Sequence, residues 1–374
     1  MSEITDISIS DYAEKVRPTD KLTELRPVLK GLFGEVGSLI TVSKKQDREG
    51  DIFKAYQGSF SEELGDVFWY ITAICRRKNY NLEKIVDAAK LSYDSNSILF
   101  PPRSPGAIVS QEFKFTKSGN LEDLLFDIGK ASAALLDFNL KNDDFKKRLI
   151  ELVTIYLKIV QASKIPFQFI LKDNQNKARG RFLKPKIETL PSFDITFPED
   201  ERLPRKFEIE IREKQNGKTY LRWNNVFIGD PLTDNIADKD GYRFHDVFHF
   251  SHAAILHWSP VFRALIKHKR KSDPKTDENQ DSGRAIVIEE GVSAYIFSYA
   301  KQMDFFENQN KVSFDLLKTI SNFVKGYEVE SCPLYMWEEA ILKGYAVFRE
   351  LKANKGGIIM GNLDKRTIKY KPLK

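Results

Sequence analysis

A chain of 374 residues, 41% hydrophobic and 30% charged, can build two or three folded domains and contains no apolar run long enough to span a membrane. Its 59 basic and 53 acidic residues leave a net charge of +6, too mild to argue for nucleic-acid binding but compatible with a phosphorylated ligand. Two distant cysteines, Cys75 and Cys332, exclude zinc-type spacing, and the N-terminus does not read as a signal peptide, so a soluble cytoplasmic protein is expected.

Residues 1–20 form a lead-in. Leu25, Leu29, Leu32, Val36 and Leu39 then recur at steps of three and four, which predicts a helix to about Val42, with Pro27 marking a kink or a restart near its first turn. Residues 43–59, carrying Lys44, Lys45, Arg48 and Lys54, read as a polar loop. Leu64, Val67, Phe68, Ile71, Ile74 and Cys75 give a second helix over 60–78, with Ser59 or Ser61 as its cap. Asn81 opens a third helix to about Ser95, and Pro101, Pro102 and Pro105 then break the chain.

Residues three apart share a helix face, so Glu35 and Ser38 point one way, as do Glu63 and Asp66. Antiparallel packing of the two helices would gather Glu35, Glu63 and Asp66 into one acidic patch. Such carboxylates repel one another unless a cation neutralises them. Oxygen-only ligands suit Mg²⁺ or Mn²⁺, which in turn hold phosphate oxygens.

A second helical stretch can be laid on the first. Leu125 to Ser132 aligns with Lys30 to Gly37, and Arg148 to Val153 aligns with Glu63 to Phe68. Glu35 then corresponds to Lys130, Ser38 to Ala133, Glu63 to Arg148 and Asp66 to Glu151. With two cations in place of acids, this copy cannot hold Mg²⁺ in the same way. Lys130 and Arg148 could touch phosphate or simply face solvent.

Residues 183–205 are rich in Pro and charge and read as a linker. Alternation over Lys206 to Ile211, then Asn216-Gly217 and Thr219 to Trp223, predicts a hairpin. Gly229-Asp230-Pro231 and Asp238 to Gly241 read as loops, and a helix is expected from Tyr242 to Trp258. Lys267 to Ser282 reads as an exposed, mobile loop. Helices near 284–302, 312–326 and 333–353 precede a closing hairpin over Ile358 to Tyr370.

In Tyr242 to His252, His245, His249 and His252 share one helical face. With Asp246, or with Glu289 and Glu290 from the later helix, they could ligate a transition metal as a second site. They could equally flank the apolar stripe of Phe244, Phe248, Ile255 and Trp258 and bond to loops such as 230–240. The His-Asp dipeptide is similar to that of HD-type phosphohydrolases, but the further His and Asp positions are not found.

Gly34-Glu35-Val36-Gly37-Ser38-Leu39 and Glu62-Glu63-Leu64-Gly65-Asp66-Val67-Phe68-Trp69-Tyr70 together resemble the MazG-type nucleoside triphosphate pyrophosphohydrolases. These belong to an all-α group that includes dimeric dUTPases and phosphoribosyl-ATP pyrophosphohydrolases. The family pattern is E-x-x-E on one helix and E-x-x-D on the next. The resemblance covers about 20–100 and, through Asn174 to Phe182 at the end of the second copy, reaches about 182. It implies hydrolysis between the α and β phosphates. Glu35, Glu63 and Asp66 would be metal ligands with Ser38 at the fourth position, and Glu62 and Glu63 would be catalytic. Substrate would be held by Lys44, Lys54, Trp69, Lys177, Arg179 and Arg181. Ser38 departs from the family's second Glu, so one metal rather than two is expected. The first copy ends in Asp94 to Phe100 without the basic ending of the second, which suggests that copy one supplies acids and copy two supplies Lys177, Arg179 or Arg181. Lys269 to Pro274 and Arg284 to Glu290 resemble a C-terminal region that accompanies some bacterial MazG-like modules.

The expected architecture is mainly α. A catalytic module over 1–105 and a degenerate second copy over 106–182 are followed by the linker and a mostly helical domain with short β-hairpins over 206–374. The expected function is Mg²⁺-dependent cleavage of a (d)NTP to (d)NMP and pyrophosphate, with nucleoside triphosphates as partners and a homodimer left open. The alternatives are a non-catalytic nucleotide-binding or regulatory protein, and a C-terminal His/Asp metallohydrolase.

Overall fold

The computed structural model describes residues 7–91, 115, 119–137 and 141–373. The chain divides into two compact units, 1–183 and 184–374. The expected helix end at Ser95, the stretch Asp94 to Phe100 and the prolines at 101, 102 and 105 lie outside the described residues.

Among its described residues the first unit is all helical. Helix α1 (Ile9–Val16) is capped by Ser8, whose hydroxyl accepts from the Asp11 N–H. Helix α2 (Leu25–Glu49) carries Pro27 in its first turn, where a missing N–H costs no intrahelical bond. It runs on through Lys44, Lys45 and Arg48, straight-chain residues that favour helix, and ends at Gly50 with φ +56°. The polar loop expected over 43–59 is therefore mostly helix, with only a short turn before α3 (Tyr56–Arg77). Helices α4 (Leu82–Leu91), α5 (Leu121–Ala134), α6 (Asn142–Ser163) and α7 (Phe167–Phe182) complete the unit.

The helix order of 25–91 recurs over 121–182. Helices α2 and α3 pack as a hairpin, as do α5 and α6. The third helix of each set packs on the second helix of the other, α4 on α6 and α7 on α3. Left-handed residues end both α3 and α6, Asn79 at φ +55° and Lys164 at φ +58°. Laid at that same offset, the buried face Leu82, Ile85, Val86 and Ala89 corresponds to Phe167, Ile170, Leu171 and Asn174. Both sets feed one core, in which Phe68 stacks on Tyr156 at 5.6 Å and meets Phe167 edge-on at 5.1 Å.

The second unit joins both hairpins in one antiparallel sheet of order β3-β2-β1-β4-β5, built from β1 (Lys206–Glu213), β2 (Thr219–Trp223), β3 (Val226–Leu232), β4 (Gly356–Asn362) and β5 (Thr367–Lys371). Gly217, at φ +73°, makes the first hairpin turn. The loop expected around Gly229-Asp230-Pro231 lies in β3, an edge strand, where Pro231 is tolerated. Helices α8 (Asp246–Ser251), α9 (Pro260–Ile266) and α13 (Leu334–Asn354) pack against the sheet, and α10 (Pro274–Thr276), α11 (Gly283–Lys301) and α12 (Phe314–Phe323) complete the unit, around a core that includes Phe250, Phe262, Trp258 and Phe348. The single helix expected from Tyr242 to Trp258 is interrupted. A tight turn precedes α8, and a π-type turn over His252–Leu256 follows it, ending at His257 with φ +60°.

Two charged segments are held far more tightly than their composition suggests. The expected mobile loop at Lys267 to Ser282 contains α10, and its Arg270 and Asp281 are buried. Arg270 donates to both Asp281 oxygens, to both Glu328 oxygens and to the Phe193 carbonyl. Arg263 reaches Asp194 Oδ2 at 2.6 Å, and Asp194 also accepts from the Leu203 N–H. The stretch read as a linker is thus held within the second unit by the Arg263–Asp194 ion pair and the hydrogen bond from Arg270 to the Phe193 carbonyl. No described helix is long and apolar enough to cross a membrane.

Candidate functional sites

Helix α3 carries Glu62, Glu63 and Asp66, α2 carries Glu35, and α7 brings Asn174 and Lys177 against them. Gly65 allows that approach, because a Cβ there would sit 2.7 Å from the Asn174 Cβ. Carboxylate oxygens of Glu35, Glu63 and Asp66 lie within 4.8 Å of one another on half-buried side chains. Lys177 Nζ is 2.8 Å from Glu62 Oε1 and 2.5 Å from Asp66 Oδ2. Asn174 donates to Asp66 Oδ1 at 2.8 Å and accepts from the Tyr12 hydroxyl at 2.6 Å.

Burial, with Asp66, Glu35 and Glu62 nearby, pushes Glu63 up to about 7, although Lys177 opposes the shift. Burial and Asp66 likewise raise Glu35. Desolvation works against the Lys177 ammonium, but Asp66 and Glu62 raise it. Four acids facing one ammonium form a pocket short of positive charge. An oxygen-only, carboxylate-rich donor set of this kind fits a hard divalent cation.

The second cluster sits where α8 meets α11. His249 is fully buried, with Nδ1 3.1 Å from Glu289 Oε1 and Nε2 3.4 Å from Glu290 Oε2. His245 Nε2 lies 3.8 Å from both Asp246 Oδ1 and Glu290 Oε2, and its Nδ1 is 2.9 Å from the Tyr242 carbonyl. His252 Nδ1 is 3.1 Å from Glu289 Oε1, while Glu289 Oε2 accepts from the Ser259 hydroxyl and the Val261 N–H. Burial works against charge on both partners, yet the His249 ring and its neighbours hold Glu289 down to about 2. Burial raises Asp246.

A family model of the MazG C-terminal domain matches residues 188–374, half of the chain. The chain belongs to that family. The match includes the His/Glu cluster and most of the stretch read as a linker, and no match to the N-terminal MazG catalytic domain accompanies it. No curated protein and no solved structure matches the chain.

Within the MazG C-terminal domain, all six residues expected at a second metal site come together, and none of them bonds to the loop at 230–240 as the structural alternative had it. The fourth histidine of that stretch, His257, is elsewhere. Its Nε2 faces the Leu363 carbonyl at 2.9 Å, and burial with Arg366 lowers it to about 4.

In the N-terminal unit, Glu35, Glu62, Glu63, Asp66 and Lys177 converge as described. Ser38 lies half-buried one turn beyond Glu35 on α2. Trp69 donates to the Thr19 hydroxyl at 3.0 Å and so ties α3 to the lead-in. Lys44 and Lys54 are exposed, at the end of α2 and in the turn after it. Arg179 donates to the Lys15 carbonyl at 3.2 Å, and Arg181 is buried beside the Phe182 ring. Lys130 pairs with Asp127 on an exposed surface, and Arg148 donates to the Ala134 carbonyl at the end of α5. Sequence reasoning missed Tyr12 and the role of Asn174. Asn174 had a signal, its i, i+3 spacing from Lys177, but Tyr12 had none.

Proposed function

We propose that the chain is a nucleoside triphosphate pyrophosphohydrolase that converts an NTP or dNTP to its monophosphate and pyrophosphate. The observation that carries this reading is the convergence of Glu35, Glu63 and Asp66 with Lys177, an acidic pocket beside a cation on a separate helix. Glu35, Glu63 and Asp66 would hold Mg²⁺ or Mn²⁺, which supplies phosphate neutralisation and a more acidic attacking water. Lys177 contacts phosphate oxygens as a point charge, exchanging its carboxylate partners for substrate. Once released from Lys177, Glu62 accepts the proton of the water that attacks the α-phosphorus while the α–β bridging bond breaks. Asn174, itself held by Tyr12, fixes the orientation of Asp66.

The second reading, a nucleotide-binding regulator without turnover, is favoured by one observation. Lys177 already neutralises two of the four acids. Measuring pyrophosphate release from every NTP and dNTP with Mg²⁺ separates the two. Turnover of at least one nucleotide, lost in Glu35→Gln and Glu63→Gln, is expected. Nucleotide binding without any pyrophosphate release would transfer the conclusion to the regulatory reading.

A further inference from the structure

We propose that the MazG C-terminal domain binds one divalent transition-metal ion between His245, Asp246, His249 and Glu290, at a site separate from the acidic pocket of the N-terminal unit. Three distances set the frame. His245 Nε2 is 3.8 Å from Asp246 Oδ1 and from Glu290 Oε2, and His249 Nε2 is 3.4 Å from that same Glu290 oxygen. Donors about 2.1 Å from a tetrahedral ion stand roughly 3.4 Å apart, so these atoms are already at or slightly beyond the edge lengths of such a shell. Carboxylate and ring atoms of His245, Asp246 and His249 also lie within 4.8 Å of one another.

The tautomers favour the same arrangement. A carbonyl oxygen can only accept, so the 2.9 Å contact to Tyr242 places the proton of neutral His245 on Nδ1 and leaves the Nε2 lone pair for a ligand. Glu289 stands behind His249 on its Nδ1 side. Its other contacts, to Ser259, Val261 and His252, make it an orienting carboxylate behind the histidines rather than a ligand. This also decides against the overlapping triplet of His249, His252 and Glu289 as the ion's own shell.

An independent observation comes from the ring of His249. It is 0% exposed, and its nitrogens face the Glu289 and Glu290 carboxylates at 3.1 and 3.4 Å without either contact reaching hydrogen-bond geometry. Native interiors rarely leave a buried ring nitrogen without a well-formed hydrogen bond. The π-type turn that begins at His252, directly after α8, is a feature frequent at functional sites. Glu290 is 40% exposed, so the cluster opens to solvent on that side and an ion can enter. Two imidazoles and two carboxylates select Zn²⁺, Fe²⁺ or Mn²⁺ over Mg²⁺, which prefers oxygen alone.

The test is equilibrium dialysis of the full-length chain against Zn²⁺, with metal content read by mass spectrometry. A Glu35→Gln/Glu63→Gln background removes the N-terminal carboxylates, so loss of the pyrophosphohydrolase site cannot be mistaken for loss of this one. One Zn²⁺ per chain is expected in both backgrounds, retained against millimolar Mg²⁺. Glu290→Gln, a partly exposed position that folding tolerates, should weaken binding about tenfold or more, and His249→Ala should abolish it. Co²⁺ should give visible absorption bands that shift in His245→Ala. Absence of bound Zn²⁺ in the double-variant background would overturn the proposal, as would displacement by Mg²⁺. An affinity unchanged by Glu290→Gln would overturn it even if His249→Ala does not fold.

Discussion

Replacing Glu63 by Gln should stabilise the N-terminal unit while abolishing the pyrophosphate release proposed for it. Glu63 sits among Asp66, Glu35 and Glu62, and its pKa is raised from 4.5 to about 7. Because the folded value lies above the unfolded one, Glu63 is neutral in both states below about pH 4.5 and costs nothing there. As pH rises toward 7, the unfolded chain ionises first, and folding must then either hold the proton or accept the repulsion. Above 7 the penalty is fully present. At 1.36 kcal/mol per tenfold, the interval amounts to roughly 3 kcal/mol, and screening at a partly open side chain reduces it to about 1–2 kcal/mol. Gln keeps the shape and removes the charge. For a unit of 183 residues, thermal unfolding should therefore rise by about 2–8 °C at pH 8 and be unchanged near pH 4.5. Scanning calorimetry of wild type and Glu63→Gln across that pH range reads the effect directly. Added Mg²⁺ should raise the wild-type transition by neutralising the same charges, and should raise the variant less. A variant that melts at or below wild type at pH 8 would refute the idea that these carboxylates strain one another.

Gly65→Ala would ordinarily stabilise a helix, but here the new Cβ meets Asn174 and pushes α7 away, so a loss of about 1–3 kcal/mol is expected in denaturant unfolding together with lost pyrophosphate release. Lys177→Met removes the group that holds Glu63 down, so the rising limb of the pH–rate profile should move upward and KM should increase by about 10- to 100-fold, read from pyrophosphate-release kinetics. Arg270→Ala leaves Asp281 buried without its main cation and should destabilise the MazG C-terminal domain by about 3–5 kcal/mol in urea unfolding.

The sequence made legible those features whose causes are local. Helical periodicity located α2 and α3, and the Asn216-Gly217 pair between alternating strands located the first hairpin. Spacing of three put Glu63 and Asp66 on one face, and antiparallel packing of α2 against α3 does bring Glu35 to them. What escaped depends on partners distant in the chain. Arg270 and Asp281 lie in a polar segment that any composition rule assigns to solvent, yet Glu328 and the Phe193 carbonyl complete a buried cage around the guanidinium. Pro231 masked an edge strand, since the rule against proline applies where a ladder bond is needed. Tyr12 is tied to the acidic pocket through Asn174, a contact spanning 162 positions.

The crossed packing of the third helices explains why two similar helix sets yield one acidic pocket rather than two. Each second helix receives its facing side chains from the other set, α3 from α7 and α6 from α4. Asp66 on α3 therefore meets Asn174 and Lys177, which neutralise and orient it. At the position of α4 that corresponds to Asn174 stands Ala89, whose carbonyl accepts from Thr154 and which has no polar side chain to offer. Opposite Glu63, Arg148 turns to the Ala134 carbonyl and closes the end of α5. Acids on one set are useful only if the other set keeps its polar third helix, so loss of function in either half of the crossed pair removes one whole pocket and leaves the other intact. The retained acids and the retained amide and ammonium accordingly belong to different sets, and substitution of either group should silence the same site.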